Sequence, residues 1–267
     1  VVKHFLLVFA LLAAAISMSK ATPRELISES VTDLRQYPEF TVYLYGSETN
    51  VDETIPFSVT LYYQRQLVDD QWQHRLLVAE TRDNQYVRTL VADGEQVWDY
   101  RVPENVYTVT PYQAIEGGSL HSMLSILRLR GDGPTDFLAD YLRDALMADE
   151  STLFNQWTPW LATASVSEDP MGRYVQAIRP SRNEALYYYV EQDKDLGPVL
   201  PMDPDLYDTT AIPFAAHSVT TQRRGQPTTI AWEALVSPGI PNGMVFGFAP
   251  PEGAVAQPLR TGAGGGN

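Results

Sequence analysis

Hydrophobic and polar positions alternate with a period of two through much of the chain between Phe40 and Pro111. Alternation of this kind sends successive side chains to opposite faces of a strand. It predicts strands at Phe40–Tyr45, Phe57–Tyr63, Leu76–Thr81, Tyr86–Ala92, Gln96–Arg101 and Val106–Thr110. Asp93-Gly94 marks a hairpin turn between two of them, because both residues tolerate positive φ. Short turns argue for an antiparallel meander, since parallel strands need long crossovers. Ahead of the strands, Thr22 suits a helix N-cap and Pro23 the first helical position, with Ile27, Val31 and Leu34 on one face and Pro38 as the stop.

The period lengthens to that of a helix in the middle of the chain. Leu120, Met123, Leu124 and Leu127 make one stripe, and Phe137, Leu138, Tyr141, Leu142 and Ala145 another, with Gly131-Asp132-Gly133-Pro134 between them. Strands are expected again at Tyr174–Arg179, Leu186–Glu191, Ala215–Thr221, Thr228–Leu235 and Met244–Ala249. A Pro- and Asp-rich connection occupies 192–213, and the Gly-rich tail reads as disordered. Neither strand set is large enough to bury both its faces alone. The expected class is therefore α+β: one strongly bent antiparallel sheet, an unclosed β-barrel, with helices packed on its concave face. The expected divisions are a leader at 1–21, a single domain at 22–256 and the tail at 257–267.

Composition narrows the function classes. The chain of 267 residues carries 19 basic and 33 acidic side chains, a formal charge of −14. Such a chain lacks the basic footprint that nucleic acid or anionic lipid headgroups demand. The absence of cysteine removes disulfides, thiolate metal sites and a cysteine nucleophile. Lys3 and His4 precede an apolar run from Phe5 to Ile16, and Ser19 and Ala21 suit the small-residue positions of a signal-peptidase site. This pattern predicts export to the periplasm or beyond, with cleavage after Ala21 and no transmembrane segment in the mature chain.

Catalytic signatures are weak. His74, His121 and His217 stand outside any metal-spaced pair, and neither a nucleophile elbow nor a phosphate-binding glycine pattern occurs. Asp69-Asp70 and Asp149-Glu150 fall in polar, turn-like contexts and read as solvated surface rather than a glycosidase pair. Asp193, Asp195, Asp203, Asp205 and Asp208 are interrupted by prolines and lack an EF-hand spacing, so a solvated loop is expected there rather than a calcium site. No cofactor, no metal and no enzymatic activity are expected. Aromatic residues crowd the strand candidates instead, which suits a hydrophobic ligand cavity. The candidate ligand-binding residues are Tyr43, Tyr45, Trp98, Tyr100, Leu124, Leu127, Tyr141, Trp232, Phe246 and Phe248. Of these, Trp98, Tyr100, Trp232, Phe246 and Phe248 are expected to form the cavity wall or the core behind it.

Two stretches carry a resemblance. Leu90-Val-Ala-Asp-Gly-Glu-Gln-Val-Trp-Asp-Tyr100 with Asn105-Val-Tyr-Thr-Val109 resembles a hairpin of the LolA-like periplasmic lipoprotein carriers. Pro238-Gly-Ile-Pro241 and Phe246-Gly-Phe-Ala-Pro-Pro-Glu-Gly-Ala254 resemble the closing strand of that superfamily. The order of elements over roughly 23–256 is similar as well. The family's arginine-proline pair has no counterpart at Arg82, which is followed by Asp83, so the chain looks like a divergent member. The resemblance implies an unclosed barrel around a cavity for the acyl chains of a lipid or lipoprotein. Related scaffolds imply the alternative, an envelope-stress sensor or structural interaction module with an envelope protein as partner.

Overall fold

The computed structural model describes residues 22–26, 36–111, 139, 142–143, 146, 163–169, 172–179, 184–192, 212–223 and 225–257. Among the described residues, twelve strands form one sheet. They are β1 (Glu39–Thr49), β2 (Thr54–Val68), β3 (Gln71–Arg82), β4 (Gln85–Ala92), β5 (Gln96–Arg101), β6 (Val106–Pro111), β7 (Ser165–Asp169), β8 (Gly172–Arg179), β9 (Glu184–Gln192), β10 (Ile212–Arg223), β11 (Gln226–Pro238) and β12 (Val255–Ala256). Their spatial order is β12-β6-β5-β4-β3-β2-β1-β11-β10-β9-β8-β7, and the sheet does not close. Two antiparallel meanders, β1 to β6 and β7 to β11, join where β1 pairs with β11 from Phe40↔Pro238 to Thr49↔Thr229.

Turn chemistry explains the meander locally. Asp69 and Asp70 have φ of 49° and 60°, and Asp83 and Asn84 have 51° and 58°. Positive φ at both central residues twists a two-residue turn to match its strands, and Asp and Asn adopt it at little cost. Asp69-Asp70 thus joins β2 to β3 as an exposed turn. At the β4–β5 turn, Asp93 Oδ1 accepts from the Glu95 and Gln96 amides, both at 2.8 Å, while Gly94 takes φ 106°.

Register assigns each side chain a face. Phe40, Val42, Leu44 and Gly46 of β1 lie opposite Tyr63, Leu61, Val59 and Phe57 of β2. The same face continues through Leu76, Val78, Leu90, Ala92 and Val97 on one side and through Ile230, Trp232 and Ala234 on the other. Nearly all of these are fully buried, so the core sits on this face. Gly46 makes the packing feasible: a Cβ there would meet the Ala231 carbonyl, Trp232 Cβ at 2.6 Å and Phe57 Cζ at 2.8 Å.

The expected helices on a concave face are corrected. Among the described residues no helix reaches seven residues, and strand dominates. Apolar positions that alternate run through longer strands than expected; β2 alone has 15 residues. The two meanders merge into one wide sheet at β1–β11. The described helical residues are 23–26, 139, 142–143 and 146, of which Leu26, Ala139 and Leu142 are buried. At the first, the Glu25 amide donates to Thr22 Oγ1 at 3.3 Å while the Thr22 amide and hydroxyl donate to Glu25 Oε2 at 2.7 and 2.9 Å, a reciprocal cap. These bonds hold the Glu25 carboxyl below its ordinary range, chiefly through the Thr22 amide. The leader at 1–21, the stripe at Leu120–Leu127, the aspartates of 193–208, Asp149-Glu150 and the tail beyond 257 lie outside the described residues.

A second correction concerns Met244–Ala249, which is irregular and not a strand. Pro238, Pro241, Pro250 and Pro251 flank it and withhold ladder donors, and Gly239 and Gly243 turn the chain at φ 90° and 78°. Residues 239–257 instead run as a strap to the far edge of the sheet. There β12 pairs in parallel with β6, through Val255↔Val106 and Ala256↔Tyr107. β7 was not foreseen; its sequence, SVSED, has too few apolar positions to alternate.

Candidate functional site

The buried face is an apolar floor with a polar margin at each end. In the middle, Val42, Leu61, Val78 and Leu90 stand in one cross-strand row and Leu44 with Val59 in the next. That second row ends in charge: Val59 lies opposite Glu80, Glu80 opposite Arg88, and Arg88 opposite Arg101. Arg88 is 1% exposed, and its Nε and Nη2 donate to Asp99 Oδ1 and Oδ2 at 2.6 and 3.1 Å. A forked pair of this type offsets the desolvation that burying a guanidinium costs. Arg101 continues outward to Glu104 at 2.6 Å and to Gln257 of the strap at 2.6 Å.

At the opposite end, Tyr63 stacks on Phe40 with centroids 4.7 Å apart, and its hydroxyl shares a hydrogen bond of 2.7 Å with His74 Nδ1. Burial, with the nearby Arg65 charge second, lowers the His74 pKa to about 4. His74 is therefore neutral near pH 7 and ends the floor on this side; past it, outside the floor, the Arg65 guanidinium lies over the half-exposed Trp72 ring at 5.0 Å.

The opposite sheet face carries a separate aromatic cluster. Alternation puts Trp98 and Tyr100 together there, beside Tyr107. Phe248 of the strap settles among them, 5.6 Å from Trp98, 5.6 Å from Tyr100 and 6.4 Å from Tyr107. Tyr100 also donates to Asn105 Oδ1 at 2.9 Å. Phe246 is buried in the same strap.

The structure therefore divides the residues that the sequence singled out. Trp232 belongs to the apolar floor, against Gly46. Tyr43 and Tyr45 share the opposite face with Trp98 and Tyr100, and the Tyr45 hydroxyl donates to Glu233 at 2.9 Å. Leu124, Leu127 and Tyr141 lie outside the described residues. Two features were missed. One is the floor itself, foreshadowed by Phe40, Val42 and Leu44 on one face. The other is the Arg88–Asp99 pair, signalled by Arg88 falling in step with Leu90 and Ala92 at positions otherwise apolar. Among the described residues, no cluster of three or more His, Asp or Glu side chains suits a metal ion, and no helix is long and apolar enough to cross a membrane.

No family model and no curated protein matches this sequence. Solved structures align only remotely. An uncharacterised conserved protein from Thermus thermophilus aligns at 7% identity and a TM-score of 0.34, over 88% of this chain and 98% of its own. A DUF1329 family protein from Desulfovibrio piger aligns at 10% identity and a TM-score of 0.31, over 84% of this chain and 95% of its own. Likeness at this distance assigns no function.

Proposed function

We propose that the chain is an exported, non-enzymatic carrier that holds acyl chains of a lipid or lipoprotein against the apolar floor. One observation carries this reading: the floor is continuous across β4, β3, β2, β1 and β11, and among the described residues Glu80, Arg88 and Asp99 stand at its margin. Each methylene brought out of water onto such a surface contributes about 0.8 kcal/mol, so affinity needs no reactive group. Export rests on the N-terminal pattern of Lys3, the run from Phe5 to Ile16, and Ala21.

The binding surface in this reading is the floor and not the Trp98 cluster, whose slot Phe248 fills. Organic extraction of the purified protein followed by mass spectrometry should release a discrete lipid. A fluorescent fatty acid should bind the wild type, and Ala234→Leu, which fills space on a fully buried floor position, should weaken it at least tenfold. If neither lipid nor probe binds and Ala234→Leu only destabilises the fold, the floor is ordinary packed core. The interaction-module reading would then replace the carrier.

A further inference from the structure

The β2–β3 hairpin outruns its neighbours. β1 stops pairing with β2 at Glu39↔Gln64, and β4 stops pairing with β3 at Ala92↔Leu76. Beyond them the ladder continues between β2 and β3 alone, from Arg65↔His74 to Val68↔Gln71. The Arg65 amide still donates to the Pro38 carbonyl at 2.8 Å and Gln73 lies beside Gly94, so the unflanked end is Leu67↔Trp72 and Val68↔Gln71, which at about 3.3 Å per residue projects roughly 7 Å past the sheet. Its end is apolar and open to water: Leu67 is 58% exposed, Val68 40% and Trp72 54%, with Leu67 directly opposite Trp72. An exposed apolar group on a projecting ribbon marks an interaction site, because sheet proteins otherwise keep such tips polar.

The tip is also held in shape. The Asp69-Asp70 turn, the Arg65 guanidinium over Trp72, and the bond from Gln66 Nε2 to Gln73 Oε1 at 3.2 Å fix the ribbon. Gln73 in turn lies against Gly94 of the neighbouring turn. A preformed tip loses little freedom on docking, and an exposed tryptophan is the side chain that most often dominates an interface.

Charge decides the occupant. A two-residue turn of this type is satisfied by one acid and one amide, as Asp83-Asn84 shows in the same chain. Asp69-Asp70 therefore brings more negative charge to the apex than the turn requires. Two carboxylates ahead of Leu67 and Trp72 resist entry into a bilayer, and a second copy of a chain of charge −14 would meet like charge. We propose that this tip docks into a protein partner presenting an apolar pocket bordered by lysine or arginine. Trp72 and Leu67 fill the pocket and the Asp69-Asp70 apex meets its basic rim.

The full chain would be panned against a displayed library of random dodecapeptides. The expected result is enrichment of peptides combining aliphatic or aromatic with basic residues. Their binding should fall at least tenfold in Trp72→Ser and several-fold in Asp69→Asn/Asp70→Asn, the latter also losing most of its salt dependence. Circular dichroism and acyl-probe binding should be unchanged in both, which separates this proposal from the carrier reading. Peptides whose binding ignores Trp72, or no enrichment at all, would overturn it. So would Trp72-dependent sedimentation with phosphatidylcholine vesicles, or Trp72-dependent self-association.

Discussion

Gly46 stands at mid-strand in β1 directly between Phe57 and Trp232, and the two aromatic side chains occupy the space that any Cβ would need. The Ala231 carbonyl closes the third side, so nothing flexible is available to yield. Gly46→Ala is expected to cost about 1–3 kcal/mol, the usual range for overpacking, read by urea denaturation. An unchanged midpoint would show that the floor is looser here than the contacts imply. His74 makes a prediction of different form. Its folded pKa lies near 4 against 6.5 for the free side chain, because burial first and Arg65 second disfavour the charged ring. The unfolded chain thus binds the proton more readily between these values. The His74 contribution is complete above pH 6.5, is lost as pH falls toward 4, and changes no further below that. Unfolding free energy measured across this window should decline in the wild type, and part of that slope should vanish in His74→Gln. An identical slope in the variant would place the titration elsewhere.

At the scale of elements, what could be read from the chain was whatever is decided locally. Asp93-Gly94 announced its turn, though only Gly94 takes the positive φ expected of both and Asp93 acts through its carboxylate, and the six strands of the first meander followed from alternation such as Phe40, Val42 and Leu44. Thr22 and Pro23 announced a helix start for the same reason, since a cap involves only residues three apart. What was hidden depends on distant partners. Nothing near Phe40 indicates that its strand will pair with Pro238, and the Pro-Gly punctuation around Met244–Ala249 outweighed an apolar pattern that otherwise suited a strand. Alternation grouped Trp98 with Tyr100 correctly, but it cannot say which face of β11 shares a side with them. Trp232 is one residue out of step with Glu233, which faces Tyr45, and that single step puts it on the other face. A charge within an apolar alternation, Arg88, was legible in principle; its meaning emerged only with Asp99 on the neighbouring strand.

Among the described residues, two closures join remote parts of the chain. β1 with β11 fuses the meanders, and the strap delivers β12 to β6 at the far edge. The first closure is the longer, ten residue pairs from Phe40 to Thr49, and its floor side is continuous with both meanders. Loss of packing at that seam should therefore be felt on both sides of it. Trp232 is the test, since it is 4% exposed, pairs across to Gly46 and lies in a strand that also pairs with β10. Trp232→Ala is expected to cost about 3–5 kcal/mol, as deletion of a buried tryptophan does. More tellingly, hydrogen exchange should show protection falling together at β3–β4 in the first meander and at β8–β9 in the second. Pairing over so long a stretch of chain also predicts refolding on the millisecond-to-second scale or slower, in one phase shared by both regions. If the variant exposes the β8–β11 amides while those of β2–β4 keep their wild-type protection, the meanders are separate cooperative units, and the seam is a contact between them instead of the middle of one sheet.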